Sequence, residues 1–514
     1  MKKICLSALI AMSIVASNIS AETIDLKLDS LISESIKRNS NIIFDRIKSE
    51  IINNQVEYEK DIFTPQVYSN ISRIKSDVPN NTQELLSRGN LETYSEDSTN
   101  IEAGIRGVLP TGGSWQTALK TKQESNSLIN EYKTYDSEYT NSLEISFTQH
   151  LLRGFGKDIT LAKYHLTKAE QDIFKKEYEK KILDLMASVI QVYWKMYGLH
   201  ELKKNYIQSI SLNEKSVQVL EDRFKRGDVP KSELLEAKTS LMSKKADLNR
   251  VENDINNSRS NLLDLLNVSE EKNKNITFRL VDKPNAYKME KLTVDEYFKK
   301  AIDNWPEYKI AQYKLKKEEL NLKYAKDNIR PQLDLLVSLS NNTLDDSQKY
   351  DFADDEYVSW NLGLEFSMPI FDRQNKNALN IAKLKKYQAL KELETLNSRL
   401  FNAISAKYNS FNNAKQQVAL YEEGLVFREE LLRSERIGFE LGNRSIKDII
   451  TQENDLITHK RKLFSSIIDW KLSEASLQKA IGELMGIYVD IEKVKNYKNN
   501  EHASTLSNID FGKL

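Results

Sequence analysis

The side chains best able to do chemistry are thinly spread. The five histidines, His150, His165, His200, His459 and His502, stand far apart, with no HExxH pair and no other spacing that would bring two imidazoles to one metal ion. GFGK at Gly154 to Lys157 has the glycine and lysine of a phosphate loop but not its upstream glycine. The acidic stretch LDDSQKYDFADDE from Leu344 to Glu356 lacks calcium-loop spacing and reads as a solvated loop. No catalytic residue, cofactor or metal site is expected. The charged residues that could still matter are Glu102, Glu144 and Glu365, each in a segment of alternating polarity, and Arg444 and Asp448, four apart. What they do depends on the elements that carry them.

Composition and the N-terminus set the compartment. Lys2 and Lys3 precede an apolar run from Ile4 to Val15 and a small-residue site ending at Ala21, which reads as a secretory signal peptide over 1–21. Cys5 would leave with it, so neither disulfides nor thiolate sites are expected in the mature chain. Removing Lys2 and Lys3 leaves 73 basic residues against 75 acidic ones, a balance that argues against a nucleic-acid partner. Charged residues make up 29% of the chain and mean hydropathy is -0.56, which describes something extended and well solvated. After the signal no run approaches the roughly 18 apolar residues of a membrane helix, so a membrane could be crossed only by a barrel.

Two alternating segments lie between long stretches of helical periodicity. In Leu333, Leu335, Val337 and Leu339, and again in Trp360, Leu362, Leu364, Phe366 and Met368, every second residue is apolar. Asp334, Ser338, Asn361, Glu365 and Ser367 make the other face polar. A half-buried soluble sheet and a water-filled membrane barrel would both show this pattern. From Leu28 to Ile62 apolar residues recur at helical spacing, with Asp29 able to cap the start. The stretches 157–226 and 374–441 contain no proline. As helices, at ~1.5 Å per residue, each would be on the order of 100 Å long. In the second, Leu393, Leu396, Leu400, Ala403, Phe411, Ala414, Val418, Tyr421 and Leu425 form a coiled-coil seam, broken by an eight-residue step after Ala403.

The chain repeats itself. Pro65 matches Pro331 at an offset of 266, as Asp29 matches Asp295. SLEISFTQHLLRG from Ser142 matches NLGLEFSMPIFDR from Asn361 at 219, and RFKRGDVPKSELLEAKTSL from Arg223 matches GFELGNRSIKDIITQENDL from Gly438 at 215. The first copy therefore carries 47 extra residues between its strands. Within them Ile101, Ala103, Ile105 and Leu109 alternate with polar residues, PTGG turns at 110–113, and Trp115, Thr117 and Leu119 alternate again, an added hairpin over 100–124. The expected organisation is a first repeat over 22–266 with four strands, a connecting segment over 267–293, a second repeat over 294–486 with two strands, and a polar C-terminal segment over 487–514.

This order of elements resembles the TolC family of outer-membrane efflux and secretion channels. The resemblance is carried by ESIKRNSNI at Glu34 to Ile42 and its second copy AIDNWPEYK at Ala301 to Lys309, by the strand starts at Pro65 and Pro331, by the run from Trp360 to Asp372, and by glycine turns at Gly227 and Gly442. It implies a mainly α chain with a membrane β-barrel. Tandem-duplicated coiled-coil helices would form a periplasmic α-helical tunnel, and strands of a homotrimer would close one barrel in outer-membrane lipid. The family's usual four strands per chain become six here, so the trimer would have 18 strands, or 12 with the hairpin folded elsewhere; the lipid-facing look of Trp115 favours 18. The implied function is a passive exit duct of a tripartite efflux or type I secretion system, fed by an inner-membrane transporter through a periplasmic adaptor. The rival is a periplasmic coiled-coil scaffold or adaptor.

Residue by residue, Arg444 takes the place of the family's gate arginine and Asp448 that of its first constriction aspartate. Phe439 replaces the gate tyrosine, and Thr451 replaces the second aspartate, so one carboxylate ring is expected instead of two, with modest cation preference. A plain helix-start pair at i and i+4 is the alternative for Arg444 and Asp448. The turns at Phe224, Gly227 and Gly442 match the sites where an adaptor's helical hairpin docks, though a simple helix C-cap explains the glycines equally well. Glu102, Glu144 and Glu365 are expected to face the lumen.

Overall fold

The structure, a computed structural model, describes residues 23–269, 277–284, 292–349 and 357–488. The expected signal peptide, part of the connecting segment, most of the acidic loop and the C-terminal segment from 489 lie outside the described residues. The elements are β1 (Thr23–Leu26), α1 (Leu28–Arg38), α2 (Ser40–Lys60), β2 (Gln66–Pro79), β3 (Thr93–Val108), β4 (Ser114–Asn126), β5 (Glu138–His150), α3 (Ala162–Lys225), α4 (Lys231–Leu265), β6 (Thr277–Leu280), α5 (Val294–Asn304), α6 (Pro306–Asn328), β7 (Gln332–Asp345), β8 (Val358–Ser367), α7 (Arg373–Glu440) and α8 (Ile446–Ala480). Short helical turns join some of them. Helices α3 and α7, of 64 and 68 residues, are the long elements that the proline-free stretches predict.

The helix expected without interruption over 28–62 is broken at Asn39, whose backbone is extended (φ -60, ψ 121). The Asn39 amide donates to Leu265 O at 3.1 Å, and its side-chain oxygen accepts from Asn41 N at 3.1 Å, so the side chain holds the break and starts α2. The second copy breaks 266 residues later, at Trp305 (φ -68, ψ 118), for a different reason: Pro306 disfavours helical backbone at the residue before it. Asp29 does not cap the helix as expected but lies within its first turn. Helix α1 starts at Leu28, whose N–H donates to Asp282 Oδ2 at 2.7 Å, so a residue 254 positions away caps it. The seam of α7 does not skip after Ala403, because Ile404 is fully buried and Tyr408 packs beside it, so the seam runs Leu400, Ile404, Tyr408, Phe411 in steps of four, four and three.

The chain forms two compact units, one of residues 1–47, 176–309 and 395–514, the other of 48–175 and 310–394. In the first, the duplication is visible as two equivalent cores. Leu28, Leu31 and Ile32 of α1 pack on Met186, Val189, Ile190 and Tyr193 of α3 and Leu262 of α4. Tyr297 and Ala301 of α5 pack on Leu400 and Ile404 of α7 and Trp470 and Leu477 of α8 in the same way. Strands β1 and β6 pair in parallel, tied by Arg279 to Asp25 at 2.6 Å. Nearer the helix ends, Leu220 of α3, Ala237 of α4, Leu432 of α7 and Ile446 of α8 share one core, so both copies contribute to it.

The second unit holds one antiparallel sheet in the order β2-β3-β4-β5-β7-β8. The added hairpin, β3 and β4, takes the second and third places, between β2 and β5. Its turn is stitched to the end of β5: Thr111 Oγ1 donates to Gln149 Oε1 at 2.5 Å, and Thr111 O accepts from Gly156 N at 2.9 Å and Gln149 Nε2 at 3.1 Å. Gly112 has φ +95, and a Cβ there would stand 2.1 Å from Gly154 O, so only glycine closes this turn. The helices of this unit are cross-linked by ion pairs such as Lys317 with Glu170 (2.6 Å) and Lys386 with Glu319 (3.0 Å).

Candidate channel lining and helix-hairpin turns

The unbroken register assigns every strand residue to a face. Val67, Ile105, Thr117, Ile145, Leu339 and Trp360 stand in one row across all six strands. Rows on the same face carry Ile71 and Ile101, Leu119 and Leu143, Phe147 and Val337, Leu364 and Phe366. Along β8 the apolar positions from Val358 to Phe366 cover roughly 27 Å of strand, comparable to the ~25 Å apolar band of an outer-membrane barrel. Trp360, Leu362, Leu364 and Phe366 are 63–75% exposed, an apolar surface that water does not favour. Trp115 belongs to this face and its ring lies across Gly107, where a Cβ would stand 2.8 Å from the indole nitrogen. No described helix is long and apolar enough to cross a membrane.

The opposite face is polar, and Glu102, Glu144 and Glu365 all lie on it. Glu102 Oε1 accepts from the Tyr68 hydroxyl at 2.6 Å and Gln116 Nε2 at 3.3 Å, and Lys120 donates to Glu144. Glu365 stands opposite Asp334, which His150 Nδ1 meets at 2.7 Å. The sequence placed the carboxylates on this face but not their partners, which arrive from other strands. In GFGK, Gly154 N–H donates to the Asp327 carboxylate at 2.8 Å.

Both glycine turns have one geometry. Asp228 N donates to Arg223 O and Gly227 N to Phe224 O, both at 2.9 Å; Asn443 N donates to Gly438 O at 2.8 Å and Gly442 N to Phe439 O at 3.0 Å. This is the Schellman closure of a helix, and the φ values of +84 and +79 at Gly227 and Gly442 are what it requires. Nothing lies within 4 Å of a Cβ at either glycine, so both turns are open to their surroundings.

After the second turn, Ser445 and Asp448 form a capping box: Asp448 Oδ2 accepts from Ser445 N at 3.0 Å and from its hydroxyl at 2.9 Å. These donors hold the Asp448 carboxyl below the usual aspartate value. Arg444 does not meet Asp448. Its Nε lies 3.1 Å from Glu435 Oε2, and its stem lies along Gly438, where a Cβ would come within 2.7 Å of it. Thr451 turns its hydroxyl back to Lys447 O at 2.9 Å. Phe439 has a partner the sequence did not suggest, the Arg223 guanidinium at 5.2 Å from its ring centroid. No sequence signal links Arg223 or Glu435 to these residues; each is an ordinary charged helix position until the hairpins pack. Among the described residues no cluster could hold a metal ion.

A sheet with one exposed apolar face and one polar face, in a chain of long paired helices, is what a channel protein of the outer membrane requires. The chain belongs to the outer membrane efflux protein family, whose profile matches residues 116–268 and 298–483, more than half of the sequence. Among curated relatives it is 19% identical to the outer membrane efflux protein BepC of Brucella suis over 389 residues, 75% of this chain and 81% of that one. It is 23% identical to the outer membrane protein TolC of Escherichia coli over 171 residues, 32% of this chain and about a third (35%) of TolC. The fold matches the crystal structures of CusC (TM-score 0.63, 16% identity, 91% of this chain and 95% of that one) and of the outer membrane protein VceC from Vibrio cholerae (TM-score 0.64, 14% identity, 88% and 96%). It is thus an outer-membrane protein with a large periplasmic helical part.

Proposed function

We propose that this chain is one protomer of a homotrimeric exit duct, passive in itself and fed by an inner-membrane transporter through a periplasmic adaptor. The observation that carries the reading is the sheet: its apolar face is exposed, and β2 and β8 are left as open edges. An edge cannot face hydrocarbon with unpaired backbone groups, so closure has to come from neighbouring copies. Six strands per chain then give an 18-stranded barrel, about 1.5 times the diameter of a 12-stranded one. Ile381, Leu384 and Tyr387 at the start of α7 are also more than half exposed, as expected of helices that pack against another copy.

In this reading Phe439, Arg444 and Asp448 line the periplasmic constriction, with Asp448 supplying one ring of three carboxylates. The open turns at Phe224, Gly227 and Gly442 receive the adaptor. The transported solute is chosen by the transporter, so neither drugs, proteins nor metal ions are singled out. Heat-stable trimers from the outer-membrane fraction, with conductance steps in planar bilayers, are the expected result. A monomer without conductance would overturn the reading in favour of a coiled-coil scaffold. Cysteines at Lys225 and Glu440 should crosslink to a periplasmic adaptor, and failure with every adaptor of the cell would remove the docking assignment.

A further inference from the structure

The polar face of the sheet distributes its charges unevenly. Its lysines and arginines, Arg106, Lys120 and Lys122, all come from β3 and β4, which also place Glu96, Glu102 and Glu124 there, the first and last paired with Lys122. The other four strands place Glu138, Glu144, Asp334 and Glu365 on this face and neither lysine nor arginine, since Arg73 and Lys75 of β2 belong to the opposite face. Three consecutive rows in the middle of the sheet hold Arg106, then Glu144, then Glu102 directly opposite Lys120. The contacts follow this order. Lys120 reaches diagonally to Glu144 of β5, while Tyr68, hydrogen-bonded to Glu102, carries the Arg106 guanidinium over its ring at 5.3 Å.

We propose that the inserted hairpin makes the middle of the barrel lining charge-balanced. Lys120 and Arg106 offset Glu144 and Glu102 there, so this band of the lining favours neither anionic nor cationic solutes. The proposal rests on the exit-duct reading and adds a specificity that the family's usual four strands could not supply here, since they hold no cation on this face. A lone ring of carboxylates in an aqueous pore raises the local cation concentration and repels anions. Paired charges a few ångströms apart act as dipoles, whose field dies within about one Debye length, ~8 Å at physiological salt. Register is what secures the arrangement: a slip of one residue in β4 would turn Lys120 into hydrocarbon.

The test is the reversal potential of the trimer in planar bilayers under a KCl gradient. An Asp448→Asn background is used so that the constriction does not mask the barrel. Lys120→Gln should raise the potassium-to-chloride permeability ratio about twofold, Glu144→Gln should lower it by a similar factor, and the double variant should return to the parent value. Conducting trimers whose ratio stays at the parent value in both single variants would overturn the proposal. If Lys120→Gln fails to assemble, Arg106→Gln and Glu144→Gln, with opposite expected signs, decide alone. Loss of all conductance in the unmodified protein would count against the exit duct itself.

Discussion

Lys244 and Glu453 form an ion pair in which both side chains are withdrawn from water, 3% and 5% exposed. Lys244 comes from α4 and Glu453 from α8, and Glu453 is the hub: Asn213 of α3 donates to it at 2.5 Å and Arg436 of α7 at 2.8 Å. One carboxylate thus joins four helices of the hairpin region, from both copies of the duplication. Burial opposes its ionisation, but Lys244, Arg436 and Asn213 outweigh burial and hold the carboxyl below the usual glutamate value. Burial also holds the Lys244 ammonium below the usual lysine value.

Removing one partner strands the other in a dry site. Glu453→Ala or Lys244→Met should each cost about 3–5 kcal/mol, while the Lys244→Met/Glu453→Met pair should cost less than either single change. Thermal melting of detergent-solubilised protein measures this, and additive losses would refute the coupling. A depressed carboxyl stabilises above its unfolded pKa of about 4.5 and loses that contribution as pH falls through the lower folded value. The Glu453→Gln variant should therefore lose less stability on acidification below about pH 4.5 than the unmodified protein.

The Arg223–Phe439 contact predicts that a tyrosine hydroxyl is not needed to link the hairpins. Phe439→Tyr should behave like the parent, whereas Phe439→Ala and Arg223→Ala should each weaken the hairpin packing by about 0.5–1 kcal/mol beyond the lost apolar area. The expected sign is a higher resting conductance in planar bilayers. Equal resting conductance in Arg223→Ala and the parent would remove this contact from the gate.

Asp448 has two roles that substitutions can separate. Asp448→Asn keeps acceptors for Ser445 but removes the charge, so cation preference should fall while the melting temperature stays. Asp448→Ala should lower both. Because the carboxyl sits below the usual value of 3.8, the cation preference should persist on acidification and disappear only below about pH 3.8.

The face assignment predicts which tryptophans meet lipid. In single-tryptophan variants reconstituted into brominated lipid, Trp115 and Trp360 should be quenched, while Trp194 and Trp470, buried in the helical cores, should not. Unquenched Trp360 would invert the two faces of the sheet.

Period and repetition made most of the fold legible. Strands showed by a period of two, helices by threes and fours uninterrupted by proline, and the 47-residue excess of the first copy by comparing offsets. The breaks were less legible. Trp305 before Pro306 is a local signal, but Asn39 breaks its helix through a bond to Leu265, 226 residues away. The expected lumen carboxylates fell on the polar face because side-chain alternation is a property of the strand itself. Their partners, Lys120 for Glu144 and Tyr68 and Gln116 for Glu102, depend on which strand lies beside which.

The sequence alone therefore determined the membership of the elements, their duplication, the two faces of each strand and the residues at the hairpin turns, because these follow from local backbone geometry and spacing. Only the tertiary structure decided that β3 and β4 enter the sheet between β2 and β5, that Arg444 turns to Glu435 instead of Asp448, that Arg223 covers Phe439, and that Lys244 and Glu453 meet in a dry core. Each of these joins residues whose separation along the chain carries no periodic signal, and their energies exist only once packing has excluded the water between them.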